Sequence, residues 1–411
     1  PPSLESRSYA LRDFAFSGGE ISRSPRETGG NYLCGCDDQT QSRVCGLAPR
    51  TWNRSMRLVP EFVNRAGNPY SFLRHCAIYE VSGKEVAVLA SPDRAGVGRK
   101  WFQVDESREG QWFALLHSTV QEHDVPPGLY VINTSDTPLP GPAMSFCRER
   151  GTDVWLLPNY RLAYEDTPLG LSEIDGTSPW WGEVRRALLE HAARRPLAER
   201  NMTPFLNGNV NSQQRLEYVQ AAAEMPSLFS ARMLTGGVHG LCELEGRDDL
   251  LVRLQELGFA VSSPTPFTEH LDFAINVFAE GKVLADRMRL LVNTGAAVVG
   301  YRSRYEEYFS SELEAEDAVH WVESTPELVD LMRKGPSLDW LEERAGRARD
   351  FSLRHLTADR VRAATAQHLN DYARGVHKSL SRRTFLRALR ELRRPFQMDG
   401  YFHKDLPSEL M

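Results

Sequence analysis

Two short glycine-containing loops, each followed by arginine, are the residues of this sequence with the clearest chemical meaning. The loops are Asn207-Gly208-Asn209 and Glu280-Gly281-Lys282. Arg215 follows the first loop, and Arg287 and Arg289 follow the second. Glycine lets a ligand approach the backbone closely, and guanidinium groups and helix N-terminal N–H groups attract anions. The pattern therefore favours the binding of a diphosphate.

The elements around the first loop predict a strand, a turn and a helix. Pro204 to Leu206 is a short apolar run, and Ser212 is typical of a helix N-cap. Apolar residues then recur with helical spacing, which places Arg215 in the first turn. A solvated first-turn arginine is the alternative, although a cation there opposes the helix dipole.

The elements around the second loop repeat this order. Residues 273–278 predict a buried strand, and the apolar positions of residues 283–292 predict a helix that carries Arg287 beside its apolar face. Gly295 fits a helix C-cap, and residues 296–299 predict the next buried strand. Strands and helices alternate from Thr203 to about Ala373, which is typical of βαβ units on a parallel sheet. Within that stretch, Ser324 and Glu327 have the spacing of a capping box.

Composition narrows the class of protein. The chain has 411 residues and a net charge of −6, which argues against bulk electrostatic binding to nucleic acid. No apolar run approaches the roughly 18 residues that a membrane-spanning helix needs. We expect no transmembrane segment, and we expect any signal or anchor to have been removed or never present, since the sequence starts at Pro1 without a basic and apolar leader.

Cysteines and sequons suggest a secretory route. Cys34, Cys36 and Cys45 lie in a polar, glycine-rich region, where we favour disulfides over zinc because no histidine lies nearby as a fourth ligand. This region is also a candidate cysteine-stapled module for binding a partner. Sequons occur at Asn53, Asn133 and Asn201, of which Asn133 lies in an apolar run and is not expected to carry a glycan. We therefore expect the lumen of the secretory pathway, ER or Golgi, as the location.

The chain divides into four parts. Residues 1–50 form an irregular N-terminal extension, and residues 51–195 form a first lobe of short apolar runs mixed with helices. A linker leads to the second lobe, residues 203–375. Residues 376–411 carry a basic helix and tail, predicted to dock on the body through an apolar face or, alternatively, to bind an anionic membrane or polymer.

The order of these motifs resembles glycosyltransferase family 90, which includes protein O-glucosyltransferases of the Rumi type and fungal capsule-associated xylosyltransferases. The resemblance is clearest over residues 125–375. The resemblance is carried by five short motifs in this order: Phe205-Leu206-Asn207-Gly208-Asn209 with Arg215, Glu269-His270, Glu280-Gly281 with Arg287, Tyr308-Phe309 and His320-Trp321.

This resemblance implies an α/β fold of the GT-B type, with two Rossmann-like lobes facing a central cleft and C-terminal helices packing back on the body. It implies an inverting transfer of a sugar, glucose or xylose, from a UDP-sugar to a hydroxyl of a protein or glycan acceptor, without a metal. No Asp-x-Asp motif lies near an apolar strand, which agrees with transfer that needs no metal. The residues implied to bind the donor are Asn207, Gly208, Asn209, Arg215, His270, Glu280, Gly281 and Arg287.

The family's catalytic aspartate follows a strand of the kind V-N-x-x-D-x-P, and residues 130–138 are similar to it, with Asp136 at the aspartate position. The resemblance therefore implies that Asp136 is the base that deprotonates the acceptor. A turn or capping role is the alternative. For His270, the alternative to donor binding is a structural role. The family usually has a basic residue where this chain has Asn207, so a non-catalytic glycan- or nucleotide-binding protein of the same fold is a second hypothesis.

Overall fold

The computed structural model describes residues 76–90, 108–134, 137–138, 143–163, 180–235, 244, 246–263 and 265–376. All of them belong to one compact unit, Ala48–Met411. The predictions for the cysteine-rich N-terminal region, for Asp136 and for the basic C-terminal segment lie outside the described residues.

The described strands of the first half form a five-stranded mixed sheet. Its strands are β1 (Cys76–Ser82), β2 (Glu85–Ala90), β3 (Gly128–Asn133), β4 (Met144–Ser145) and β6 (Trp155–Leu156), in the order β2-β1-β3-β4-β6. β1 pairs antiparallel with both β2 and β3, whereas β3, β4 and β6 are parallel. The apolar runs predicted β1, β2, β3 and β6 but not the two-residue strand β4. The sheet is not the all-parallel sheet of a Rossmann-like lobe.

The described strands of the second half form a six-stranded sheet in which every pair is parallel. Its strands are β7 (Asn201–Asn209), β8 (Ser230–Leu234), β9 (Ala260–Val261), β10 (Phe273–Phe278), β11 (Ala297–Tyr301) and β13 (His320–Val322), in the order β13-β11-β10-β7-β8-β9. The predicted parallel sheet is therefore present. β10 is buried at every position, as expected for a central strand covered on both faces.

A small ladder joins the two halves. β5 (Arg148–Glu149) pairs antiparallel with β12 (Tyr305–Glu306). The side chains reinforce the pairing, since Arg148 Nε lies 2.6 Å from Glu306 Oε1.

The helices in the described parts flank both sheets. The α-helices are α1 (Arg108–Glu122), α2 (Trp181–Ala193), α3 (Gln213–Glu224), α4 (Asp248–Glu256), α5 (Met288–Leu291), α6 (Ser310–Ala315), α7 (Thr325–Lys334), α8 (Leu338–His355) and α9 (Ala358–Val376). Short 3-10 helices cover Tyr160–Leu162, Leu197–Glu199 and Phe267–Asp272. None of these helices is both long enough and apolar enough to cross a bilayer.

The last helix packs back on the first sheet, as predicted. The ring of Tyr372 in α9 lies 5.7 Å from that of Tyr130 in β3 and 5.8 Å from that of Trp155 in β6. Arg362 Nε binds Glu122 Oε2 of α1 at 2.7 Å.

Two local predictions for the second sheet were wrong in extent. Residues 207–209 are the end of β7, not a loop, because they pair with β8 up to Asn209 and Leu234. The helix predicted for residues 283–292 is only the single turn α5, because the N–H of Gly281 donates to the carbonyl of Val283 and closes a tight turn there. Residues 281–287 therefore form an irregular segment.

Candidate active site

The strand order of the second sheet creates a place for a ligand. The chain runs from β7 outward to β8 and β9, then returns to lay β10 on the other side of β7 and continues to β11 and β13. The direction of winding thus changes between β7 and β10, and the carboxyl ends of strands at such a switch point leave a crevice that typically holds ligands. Gly208 lies at the carboxyl end of β7, and Glu280 follows β10.

Two guanidinium groups meet at this crevice beside Gly208. A Cβ added to Gly208 would lie 3.1 Å from Arg215 Nη1 and 3.3 Å from Arg287 Nη1. The φ angle of Gly208 is +147°, which also favours glycine. The structure therefore brings three residues of the predicted site together, and we call Arg215 and Arg287 the arginine pair.

Arg215 is held by neutral acceptors. Ser212 caps α3, accepting from the N–H of Arg215 at 3.4 Å, as predicted. The Arg215 Nη1 atom donates to Asn209 O at 2.9 Å and to Asn211 Oδ1 at 3.2 Å, while Nε and Nη2 donate to Ala279 O at 3.3 and 3.1 Å. Every acceptor of the guanidinium group is a carbonyl oxygen, so within the part of the chain that is described these bonds bring no carboxylate to this buried cation.

The electrostatics of Arg215 reflect these surroundings. Burial and, second, the neighbouring charge of Arg287 lower the pKa of Arg215 to about 9, against a smaller opposing effect of Asp286. The guanidinium stays protonated at neutral pH, but its charge is poorly compensated. A bound anion would stabilise it.

Arg287 is placed by the irregular segment before α5. Its Nη1 atom donates to the carbonyl of Asn207. The Asn207 side chain itself donates from Nδ2 to Thr265 Oγ1 at 2.7 Å. Asn207 therefore fixes Arg287 through its backbone, while its amide is engaged with the segment before the 3-10 helix Phe267–Asp272.

His270 lies in that 3-10 helix, close to the arginine pair. It is 1% exposed and packs between the rings of Phe205, at 4.9 Å, and Phe267, at 4.6 Å. Burial in the first place lowers the pKa of His270 to about 3, and the charge of Arg287 lowers it further, while a hydrogen bond to Asn276 opposes both. The imidazole is neutral at physiological pH.

Glu280 and Gly281 face a different neighbourhood. The Glu280 carboxylate accepts from Ser303 Oγ and, at 3.4 Å, from the N–H of Tyr305. A Cβ on Gly281 would meet the side chain of Asn211 at 3.4 Å. Gly281 thus packs against Asn211, the residue that accepts a hydrogen bond from Arg215.

Sequence reasoning missed several residues that build the site. Asn211 and Thr265 hold Arg215 and Asn207 in place, and Gln214 Oε1 accepts from the N–H of Glu280 at 3.0 Å. Only Asn211 carries a sequence signal, since it comes directly before the N-cap Ser212 and four residues before Arg215. Thr265 is 58 residues from Asn207, and nothing local points to that contact.

A second group of charged residues surrounds Asp286, the residue before Arg287, and we call it the mixed-charge cluster. Asp286 Oδ2 lies 3.1 Å from Arg161 Nη1 and 3.5 Å from Arg289 Nη2. Arg289 is fully buried, with its Cζ atom 5.6 Å from the ring centroid of Trp181. Burial and then Asp286 raise the pKa of Glu307 to about 8, against the opposing charge of Arg289. This cluster links the segment that carries Arg287 to Arg161 and Trp181 of the first half.

β3 ends at Asn133, three residues before Asp136. Asn133 is buried and donates from Nδ2 to Thr137 O at 2.7 Å and to Ser145 Oγ at 3.1 Å. A buried amide with two such bonds is not available to a glycan. Among the described residues, no group of three or more His, Cys, Asp and Glu side chains is arranged to hold a metal ion.

Comparison with known proteins gives a family. Two of the solved structures that match show weak similarity. The GtfA/B complex has 13% identity and a TM-score of 0.28, and the match covers 42% of this chain and 36% of that one. The C-terminal domain of LpcC, a glycosyl transferase group 1 family protein from Francisella tularensis, has 10% identity and a TM-score of 0.24, and the match covers 46% of this chain and 92% of that one. Such TM-scores support no conclusion about the arrangement of lobes. A search of curated proteins gave no match. The model of glycosyl transferase family 90 matches residues 119–390, a span that includes every predicted site residue, and the chain belongs to that family.

Proposed function

We propose that this glycosyltransferase uses a UDP-sugar and transfers the sugar, with inversion, to a hydroxyl group of a protein or glycan. The observation that carries the proposal is the arginine pair, which converges on Gly208 at the switch point of the parallel sheet. Two cations side by side at the end of a parallel strand suit a diphosphate, which carries charge on both phosphates.

The arginine pair would serve both binding and chemistry. In the ground state the guanidinium groups hold the two phosphates of the donor. As the bond from the anomeric carbon to the diphosphate oxygen breaks, negative charge grows on the departing UDP, and cations that are already in place stabilise it. Arg215 is well suited to this role because its supports, Asn209, Asn211 and Ala279, are neutral and fix its direction without cancelling its charge.

Asp136 is our proposed base. Inverting transfer needs a carboxylate that takes the proton of the acceptor hydroxyl while the oxygen attacks the anomeric carbon from the side opposite UDP. The support for Asp136 is its place in the family-like segment after β3, within the span that matches the family model. We further propose that no metal is required, that glucose or xylose is transferred, and that the protein works in the lumen of the secretory pathway.

The base is tested by Asp136→Asn, with release of UDP measured with and without acceptor across a panel of UDP-sugars. We expect turnover to fall by about a thousandfold or more, because an amide cannot accept the proton, while UDP still binds. Asp153→Asn, at an exposed aspartate of the same half, is the control and should keep full activity. An Asp136→Asn enzyme that turns over like the wild type would show that the base lies elsewhere.

A second function, binding without transfer, is favoured by one observation. Asn207 stands where the family usually has a basic residue, and its amide is bonded to Thr265 instead of presenting a third charge to the diphosphate. Tight binding of UDP, together with no release of UDP from any donor in the panel, would support this function over transfer.

A further inference from the structure

The side-chain amide of Asn276 lies in the centre of β10, and its hydrogen bonds fix which way the amide is turned. Its Nδ2 atom donates to His270 O at 3.1 Å and to Thr294 Oγ1 at 3.0 Å. Thr294 Oγ1 donates its own proton to Leu291 O at 2.7 Å, so toward Asn276 it is an acceptor. The two donors of the amide therefore face two acceptors, which leaves Oδ1 to face the ring of His270.

This arrangement sets the tautomer of His270. Its Nδ1 atom lies 2.8 Å from Asn276 Oδ1, an atom that can only accept, so Nδ1 carries the proton. Because the ring is neutral, the other nitrogen, Nε2, bears a lone pair. That nitrogen is buried and has no hydrogen-bond partner in the described part of the chain. A buried acceptor without a donor is unfavourable, and a donor from a bound ligand would remove that cost.

We propose that Asn276 is a positioning residue that fixes His270 as the acceptor of a hydrogen bond from a hydroxyl group of the bound nucleotide sugar. The inference rests on the proposed function, since it takes the ligand of the arginine pair to be a UDP-sugar. His270 is near enough to Arg287 for that charge to act on it, and it packs on Phe205, two residues before Asn207 in β7. The hydroxyl belongs to either the ribose or the transferred sugar, and the two sources give different results below.

The chemistry of the site favours a hydroxyl over other donors. A cationic donor would meet the charge of Arg287, and a phosphate oxygen is itself an acceptor at neutral pH. A hydroxyl is neutral, carries a proton and is abundant on a nucleotide sugar. In this account the arginine pair recognises the diphosphate, and His270 recognises the sugar-bearing part of the same molecule.

The test is nitrogen-15 NMR of the histidine side chains of the whole chain, with the His270 signal assigned by its loss in His270→Gln or by its change in Asn276→Leu. We expect the free protein to show a protonated Nδ1 and an unprotonated Nε2. Adding UDP-glucose should shift Nε2 toward the value of a hydrogen-bonded nitrogen. A shift that UDP alone also produces assigns the ribose, and a shift that needs UDP-glucose assigns the transferred sugar.

Affinity gives a second readout. In Asn276→Leu the ring loses the acceptor for Nδ1, the tautomers mix, and the affinity for UDP-glucose should fall about three- to tenfold, the worth of one hydrogen bond. Inorganic pyrophosphate, which has no hydroxyl on carbon, should bind this variant as it binds the wild type. Thr365→Val, which removes a buried threonine hydroxyl in the distant helix α9, is the control and should change neither affinity.

The outcomes separate this inference from the proposed function. Binding of UDP-glucose without any change at Nε2, or a free protein with the proton on Nε2, overturns the inference and leaves the arginine pair untouched. Equal losses of UDP-glucose and pyrophosphate affinity in Asn276→Leu would show a general structural role and also overturn it. A wild type that binds neither ligand overturns the proposed function together with the inference.

Discussion

Arg215 and Arg289 are both buried arginines of the second half, but their surroundings differ in charge. Arg215 is supported by carbonyl oxygens and has a second guanidinium, that of Arg287, beside it. Arg289 lies 3.5 Å from the carboxylate of Asp286 and stacks over Trp181. The arginine pair therefore gains from an external anion, whereas the mixed-charge cluster is balanced largely within the protein. We propose that the first region binds a ligand and that the second maintains the structure around it.

The largest effect on UDP binding is expected from Gly208→Ala. The new methyl group would lie 3.1 to 3.3 Å from both guanidinium groups, closer than side chains normally pack, and would shift the arginine pair. We expect UDP affinity to fall by about a hundredfold, the worth of one or two charged hydrogen bonds, and the free energy of unfolding to fall by about 1–3 kcal/mol because of the positive φ. Calorimetry and denaturant unfolding measure the two quantities.

The matched control for that change is Gly346→Ala. Gly346 lies inside α8 with no atom near the added methyl group, so alanine should raise the free energy of unfolding by about 0.5–1 kcal/mol and leave UDP binding unchanged. Wild-type affinity in Gly208→Ala would mean that the ligand does not approach this glycine.

The mixed-charge cluster should respond to pH instead. The pKa of Glu307 is raised to about 8 from an ordinary value of 4.5, so the folded state holds a proton that the unfolded chain releases between these values. Stability is therefore lost as the pH rises from about 4.5 to 8. Glutamine has no carboxyl proton, so Glu307→Gln should not lose stability over this range. It should match the wild type near pH 5 and be more stable by ~3 kcal/mol near pH 8.5.

Denaturant unfolding at a series of pH values checks this expectation, with Glu342→Gln, at an exposed position of α8, as the control. A constant difference between Glu307→Gln and the wild type across the series would contradict the assignment. UDP affinity should change little in either variant, because the arginine pair is left intact.

The smallest effect is expected from two matched helix caps. Ser212 caps α3 and also donates from Oγ to Glu280 O at 2.6 Å, so it ties the segment after β10 to the helix that carries Arg215. Ser324 caps α7 in the same way, accepting from the N–H of Glu327. Each change to alanine should cost about 1 kcal/mol of stability. Only Ser212→Ala should also weaken UDP binding, by a few fold, and equal binding by both variants would argue that this tie does not shape the site.

The sequence predicted what local patterns determine. The buried strand Phe273–Phe278 and the caps Ser212 and Ser324 follow from apolar runs and N-cap chemistry, and the structure has them where they were expected. The predicted capping box is only half present, because Glu327 Oε2 accepts from the N–H of Glu323 and not from that of Ser324.

Other features depend on contacts between distant residues, and the sequence did not predict them. β7 continues through Asn209 because β8 pairs with it, and Asn207 meets Thr265 only once the sheet has formed. The first sheet is mixed because β1 lies antiparallel between β2 and β3, which apolar runs alone do not reveal. The two-lobe arrangement of the GT-B type and the role of Asp136 stay predictions from the family.

The most direct test of the arginine pair compares the binding of UDP, UMP and uridine to the wild type, Arg287→Met and a control, Arg253→Met, by calorimetry. Arg253 is exposed and pairs only with Glu256 on its own helix among the described residues. We predict that the wild type and the control bind UDP at least about tenfold more tightly than UMP, since the second phosphate adds charged hydrogen bonds. Arg287→Met should lose this preference and keep its affinity for uridine. An Arg287→Met protein that still prefers UDP to UMP as strongly as the wild type would contradict the account.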